Sequence, residues 1–264
     1  MRIVKAHAYG NDFVYVPVED AHAAGEDKAA LARRVCARHT GIGADGLVFY
    51  GETPSGASMR LLNADGSPAE VSGNGVRALA AMLARQRGLE PGAELWIETD
   101  AGRKALSLIG REGRSRYMFR ADMGPPADLR QVRLEIAGET VEAGALRMGN
   151  PQCVILGPLV QARLAKLGLA LQRHPQFPEG VNVELAQVEA ADRVRILIWE
   201  RGVGPTLSSG TGSCAAAVVA AAFGGAGRDV EVVAPGGTQR VEWRETSVLL
   251  TGWAEVLLEG HWTA

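Results

Sequence analysis

The sequence predicts an α/β protein of two matched lobes, each a set of short strands wrapped on a central apolar helix. Three observations lead there: the chain length, a strand–turn–helix segment that occurs twice at one spacing, and two helices that are apolar nearly all round. At 264 residues the chain exceeds the usual single-domain size, so two domains that each bury their own core are expected. Residues 59–63 (MRLLN) read as a short apolar strand. A turn-forming ADGSP follows, then SGNG opens the helical run VRALAAMLARQRG, which Gly88 closes. Residues 194–199 (VRILIW) form a second such strand, followed by RGVGP, by SGTG and by the Ala-rich run SCAAAVVAAAFGG.

Ser209 lies 137 residues beyond Ser72, and the same spacing carries Gly73 onto Gly210, Gly75 onto Gly212 and Gly88 onto Gly225 without a gap. It also sets Gly43 on Gly180 and Asp45 on Asn182, while Gly10-Asn11 lies two residues off register from Gly149-Asn150. Residues 97–102 (IETDAG) resemble residues 232–237 (VVAPGG) at nearly that spacing. The pattern reads as an internal duplication. Helices over 76–87 and 214–223 are apolar nearly all round, which marks both as buried.

A hydrophobic fraction of 47% and a charged fraction of 22% are ordinary for a globular chain, whereas 5% aromatic residues and 33 glycines point to a turn-rich interior packed with Ala, Val and Leu. The net charge of -2 supplies no basic field for a nucleic acid, and no charge run reads as a membrane arm, so a small-molecule partner is expected. The opening MRIVKAHAYGNDF lacks the apolar core of a secretion signal, and no stretch reaches the ~18 apolar residues of a membrane span. A cytoplasmic protein is the simplest expectation. Cys36, Cys153 and Cys214 form no CxxC pair, which suits free buried thiols in a reducing compartment and gives no sign of a metal.

A helix start leaves backbone N–H groups outside the hydrogen-bond ladder and carries about half a positive charge, so glycines there make an anion site. Two such starts related by duplication are expected to face each other. One carboxylate held by Gly73-Asn74 and Gly210-Thr211 would then have Ser72 on one side and Ser209 on the other, an arrangement suited to removing a proton from one face and delivering it to the opposite one. Taken alone, Ser72 reads first as an N-cap, and the duplication is what brings in the catalytic reading. Ser67 and Ser208 read as turn and cap residues, and neither GxGxxG nor GxxxxGK[ST] is present to bind phosphate.

Residues 63–78 (NADGSPAEVSGNGVRA), 148–154 (MGNPQCV), 177–184 (FPEGVNVE) and 199–215 (WERGVGPTLSSGTGSCA), with HAYGNDF at the start and GIGADG at Gly41, resemble the diaminopimelate epimerase family. The resemblance runs from the first residues to at least Gly237. It implies a pyridoxal-independent epimerase of the proline racemase and diaminopimelate epimerase superfamily, with two pseudo-symmetric lobes, each a mostly antiparallel mixed sheet round one helix. The lobes are expected over residues 1–114, completed by residues 253–264, and over residues 115–252. In that family two cysteines, one at each helix start, act as base and acid on the α-carbon and interconvert LL- and meso-diaminopimelate for lysine and cell-wall synthesis, with no cofactor. The resemblance also suggests a homodimer.

Carried over by motif position, Asn11, Asn63, Asn150, Asn182 and Arg201 would hold the distal end of the substrate, Arg201 by a bidentate grip on its carboxylate. Glu200 would meet the reacting amino group, and the backbone of Gly73, Asn74, Gly210 and Thr211 the α-carboxylate. The catalytic set is Ser72, Ser209, Glu200 and Gln152. This set departs from the family, because both family cysteines fall on serines and the histidine of its PHC motif falls on Gln152. Pro205 replaces the acidic residue of its ERGxGE segment. A helix N-terminus lowers a cysteine from about 8.5 toward a neutral-pH thiolate, but a serine hydroxyl needs a neighbouring base to take its proton. No motif brings His7, His22, His39, His174 or His261 there. The alternatives left open are a non-catalytic amino-acid-binding homologue and an isomerase for another amino acid.

Overall fold

The computed structural model describes residues 1–23, 25, 27–69, 72–136 and 138–263. Contacts divide the chain into two units, Met1–Ala121 with Trp253–Ala264, and Asp122–Gly252.

In the first unit β1 (Arg2–Ala8) and β2 (Asn11–Pro17) form a hairpin on Tyr9-Gly10. Helices α1 (Val18–Ala23) and α2 (Lys28–Cys36) then lead to β3 (Gly46–Thr53), parallel to β2. Next come β4 (Gly56–Asn63), the short β5 (Pro68–Ala69) and α3 (Gly73–Arg87). Strand β6 (Glu94–Thr99) lies parallel to β4 and continues antiparallel into β7 (Gly102–Glu112) and β8 (Arg116–Asp122). Strand β17 (Val248–His261) pairs with both β8 and β1 and closes the wall.

Parallel neighbours require a crossover connection, and this unit uses two kinds. The crossover from β2 to β3 passes outside and the one from β4 to β6 passes through the interior. Val14, Val16, Leu47 and Phe49 pack with Leu31 and Val35 of α2, while the alternate residues Tyr15, Val48 and Tyr50 pack with Leu79, Met82 and Leu83 of α3. Both faces of these strands are therefore dry, and they read as continuous apolar runs. Every residue from Asn74 to Ala84 is buried, and each fully enclosed Leu contributes about 2 kcal/mol.

The second unit repeats this order. Strands β9 (Ala127–Ile136), β10 (Glu139–Arg147) and β11 (Pro151–Leu156) are antiparallel neighbours. Helix α4 (Gln161–Leu171) crosses outside to β12 (Asn182–Ala190), parallel to β11. Strands β13 (Arg193–Glu200) and β14 (Gly204–Thr206) precede α5 (Gly210–Phe223). Strand β15 (Asp229–Ala234) runs parallel to β13 and turns into β16 (Gly237–Trp243), which pairs with the first residues of β17. Met123 N–H donates to Val248 O and Val248 N–H to Gly124 O, each at 2.9 Å, tying the approach to β9 onto β17.

The duplication read from the spacing is thus present element by element. Gly43 and Gly180 both adopt left-handed φ, at 77° and 73°. The two-residue offset at Gly149-Asn150 arises downstream of that turn, where Gly149 to Gly180 spans 31 positions against the 33 from Gly10 to Gly43. Three boundaries differ from expectation. The units part at 121/122 and not 114/115, because β8 still pairs with β7 and β17 of the first unit. Both inner helices begin directly after their serines, ahead of residues 76 and 214, because the serines cap them. Helix α3 ends on Gly88 (φ 61°), but α5 ends at Phe223 and places its left-handed glycine, Gly225, one residue past the cap.

Closing strands round a helix demands small residues at the contact. A Cβ on Gly144 of β10 would lie 2.5 Å from Val219 Cγ2 on α5. Gly144→Ala is therefore expected to cost about 1–3 kcal/mol, the usual penalty of overpacking, read as a lower midpoint in thermal unfolding; an unchanged midpoint would mean that α5 has room in its wall.

Candidate functional site

In the first unit Ser72 has extended backbone (φ -126°, ψ 120°) and its Oγ accepts from Gly75 N–H at 3.1 Å. This is an N-cap. Gly73 is exposed, and a Cβ there would meet nothing within 4 Å, so a ligand has open access to the backbone of the first turn. Asn74 faces inward: its Oδ1 accepts from Arg77 Nη1 at 3.1 Å, and the buried Arg77 guanidinium lies 5.8 Å from the centre of the Tyr9 ring. Tyr9, at left-handed φ in the β1–β2 turn, accepts from Trp253 N–H through its hydroxyl at 3.0 Å.

Asn11 opens β2 with its Oδ1 buried and without a hydrogen-bond partner among the described residues. Its neighbour Asp12 is held by Lys5 Nζ at 2.9 Å and Arg38 Nη2 at 3.0 Å, and Arg38 also reaches Asp45 at 2.6 Å, which fastens the 41–45 loop to the start of β2. Burial pushes the Asp12 carboxyl up, but hydrogen bonds from Arg38 and Lys5 outweigh it and hold the group below the usual carboxylate range. Asn63, at the end of β4, donates to Ser67 Oγ at 3.0 Å across a turn that Asp65 also braces. Ser67 is a turn residue, as expected.

In the second unit Ser209 repeats the cap: φ -138°, ψ 128°, with Oγ accepting from Gly212 N–H at 3.2 Å. Its surroundings differ. Ser209 is only 4% exposed, and a Cβ on Gly210 would lie 3.1 Å from Leu250 Cδ2, so α5 starts under cover where α3 starts in the open. Ser208 is also buried and its Oγ accepts from Gln239 Nε2 at 3.0 Å.

The remaining sequence-predicted residues of this unit are joined through neighbouring strands. Gln152 donates to Asn150 Oδ1 at 2.6 Å and stands opposite Asn182 in the parallel β11–β12 pair. Asn182 Oδ1 accepts from Arg201 N–H at 2.8 Å, and Arg201 Nη1 donates to Glu179 O at 2.6 Å. Gly180, at left-handed φ, leaves room for that side chain, since a Cβ there would lie 2.8 Å from Arg201 Cδ. Gln152 Oε1 is buried without a partner among the described residues. A shallow cleft lined by Arg130, Arg147, Phe177 and Glu179 contains none of the predicted residues, and its Arg147–Glu179 pair is an exposed ion pair.

Two site residues escaped the sequence reading. Arg77 lies inside the α3 run that reads as apolar. Glu184 lies in the FPEGVNVE segment, fully buried, with neither carboxylate oxygen hydrogen-bonded among the described residues. Strand alternation carries the signal for it: Val183 and Leu185 pack outward against α4, so Glu184 between them faces α5. Burial, then the charge of Glu200, pushes its carboxyl well above the ordinary range. Burial likewise raises the free thiols of Cys36, to about 12, and Cys153, so neither is a thiolate at neutral pH.

A probable proline racemase from Agrobacterium radiobacter has the same fold, with a TM-score of 0.73 at 18% identity, covering 99% of this chain and 92% of that one. A predicted epimerase from Pseudomonas aeruginosa gives 0.74 at 14% identity, covering 100% and 99%. The two-unit architecture is therefore one found in proteins described as racemases and epimerases. Sequence narrows this further, since the family profile described as diaminopimelate epimerase matches residues 3–127 and 144–257. The diaminopimelate epimerase of Desulforudis audaxviator is 41% identical over 283 aligned residues, and that of Pelotomaculum thermopropionicum 38% over 278, each alignment covering 99% of both chains. The chain belongs to the diaminopimelate epimerase family. Among the described residues no helix is long and apolar enough to cross a membrane.

The buried Glu184 sets a pH signature. Its folded-state carboxyl holds its proton above the unfolded value of about 4.3, so its stabilising contribution is complete below that pH and is lost as pH rises through the folded value. Glu184→Gln is thus expected to gain stability relative to wild type as pH rises above about 4.3, by up to ~1.4 kcal/mol per pH unit. Paired denaturant titrations across pH check this, and parallel curves would mean that Glu184 is ionised in the fold.

Proposed function

We propose that this chain epimerises an amino acid at its α-carbon, that diaminopimelate is the substrate, and that Ser72 and Ser209 occupy the two acid/base positions. The observation that carries the reading is the repeated serine cap: in each unit a serine sits directly before a glycine-bearing first turn of an enclosed helix. Ser72 and Ser209 each retain one amide of that turn, leaving Gly73, Asn74, Gly210 and Thr211 to hold the α-carboxylate outside the helical ladder. Donors fixed on the carboxylate stabilise the charge that develops there when the α-proton leaves. Arg201, positioned through Asn182 and Glu179, takes the distal carboxylate. Asn11, Asn63, Asn150 and Asn182 surround that distal end, Glu200 meets the amino group, and Gln152 stands where the family has its histidine. The reaction needs no cofactor. A cytoplasmic homodimer belongs to the same reading, and sedimentation checks its assembly.

Proton NMR of the protein with LL-diaminopimelate in D2O is the direct assay: loss of the α-proton signal above a no-protein control is expected, and binding without such loss would overturn the proposal. Arg201→Met is expected to weaken diaminopimelate binding by about ten-fold or more, since a charge-assisted grip is worth about 1.5–3 kcal/mol. The paired change Ser72→Cys with Ser209→Cys is expected to speed exchange by about 10²-fold or more, because a thiol at a helix start ionises near neutral pH. No gain from the thiols would show that the serines do not stand at the acid/base positions.

A further inference from the structure

Ser209 poses a chemical problem that Ser72 does not. Its hydroxyl is too weak an acid to serve as a base unless another group takes its proton, and at 4% exposure it is closed off from solvent that could do so. Ser72 is half-buried beside an exposed glycine. A proton-accepting group behind Ser209 is therefore required if it is to exchange protons with a substrate.

Glu184 meets that requirement geometrically. It is fully buried on the face of β12 that looks onto α5, and neither of its carboxylate oxygens has a hydrogen-bond partner among the described residues. An unsatisfied carboxyl at full burial is costly, and such groups cluster at working sites. Its position is fixed against the first turn of α5. A Cβ built on Gly212 would overlap Glu184 Oε1 and would lie 3.2 Å from Ser209 Cβ. The carboxyl oxygen and the serine methylene thus flank one gap too narrow for a methyl group, short enough for rotation of the hydroxyl to span. Gly212 is the residue that leaves this gap open.

We infer that Glu184 is the proton reservoir of Ser209, a buried carboxyl that exchanges a proton with the Ser209 hydroxyl while that hydroxyl exchanges one with the substrate α-carbon; this rests on the epimerase reading above. When Ser209 removes the α-proton, the Cα–H bond breaks and its electron pair passes into the substrate carboxylate. The proton bonds to Ser209 Oγ, and the former hydroxyl proton bonds to Oε1 of Glu184 in its ionised form. In the opposite direction Glu184 gives its proton to Ser209 Oγ, and the serine gives its own to the carbanion. The opposite change at Ser72, exchanging with solvent, balances the proton count. The charged group that acts on Glu184 is Glu200 from β13, while Glu184 itself acts on the Cys153 thiol, which β11 turns to the outer face. With burial, the Glu200 charge favours the protonated carboxyl, the form that delivers a proton through Ser209.

The test is α-proton exchange from LL- and meso-diaminopimelate in D2O as a function of pH, for wild type, Glu184→Gln, Ser209→Ala and the double variant. The Ser209 direction is the one whose exchange Ser209→Ala suppresses. The relay requires Glu184→Gln to slow that direction by about 10²-fold or more, to remove the pH dependence that Glu184 imposes, and to leave substrate affinity within a few-fold. It also requires the double variant to be no slower than Ser209→Ala, since two parts of one relay are not additive. A Glu184→Gln variant with wild-type rate and pH profile, or losses that multiply in the double variant, would overturn the relay and leave the epimerase reading intact. Wild type that binds diaminopimelate and exchanges neither isomer would overturn both. If Glu184→Gln does not fold, Glu184→Asp replaces it: the shortened acid is expected to give a slower Ser209 direction with a displaced pH profile, and an undisplaced profile refutes the relay.

Discussion

A helix enclosed by a wall of strands must begin where its first amides find partners, and the rest of this structure depends on that constraint. Water satisfies the start of a surface helix; the start of α5 is under cover. Ser209 supplies the missing acceptor through Oγ and anchors the turn a second time through its carbonyl, which takes the Ser213 N–H and hydroxyl at 3.0 and 2.7 Å. The cap determines where the helix begins, and so which amides remain outside the ladder. Those amides belong to Gly210 and Thr211, and in the first unit to Gly73 and Asn74. The free amides of each start are thus a by-product of fitting a helix inside strands, and the proposed carboxylate site draws on them.

Enclosure also dictates composition. The crossover from β13 to β15 threads α5 between strands whose own side chains point at it, so the helix must be thin, and its run of alanines and valines answers that need. Where even alanine is too large the wall itself gives way, as at Gly144 against Val219. Helix α3 is wider, with Leu79, Met82 and Leu83, and its wall carries larger neighbours such as Tyr15 and Tyr50. Arg77 is the exception on that helix. It is tolerated at full burial because Asn74 accepts from it and the Tyr9 ring lies near it, the kind of pairing that a buried charge demands.

The parts of the fold written in local chemistry were legible. The serine–glycine starts, the left-handed Gly88 and the paired turns 97–102 and 232–237 each fix backbone geometry within a few residues, so their recurrence at one spacing exposes the duplication. The domain boundary was not legible, because β8 and β17 owe their membership to pairing with distant strands and carry no turn signal where the units part. Among the candidate site residues, the two caps and the glycines after them were readable from type and position. Glu184 stood in a quoted motif, yet its meaning depends on strand alternation and on what lies across from it. Only a folded wall reveals that the residue between Val183 and Leu185 faces Gly212.

Duplication made two helix starts alike, but their surroundings decide what each serine is able to do. Caps of equal geometry differ in access, because Leu250 and Glu184 close over the start of α5 while Gly73 leaves the start of α3 open. With cysteines the difference would matter less, since a thiol ionises in response to the helix field itself. A hydroxyl draws too little from that field and borrows its reactivity from a neighbour. Replacing thiol by hydroxyl therefore shifts the burden from the backbone, which the two units share, to the side chains behind it, which they do not. Under that burden a buried carboxyl acquires a role at one start, and solvent access substitutes for it at the other.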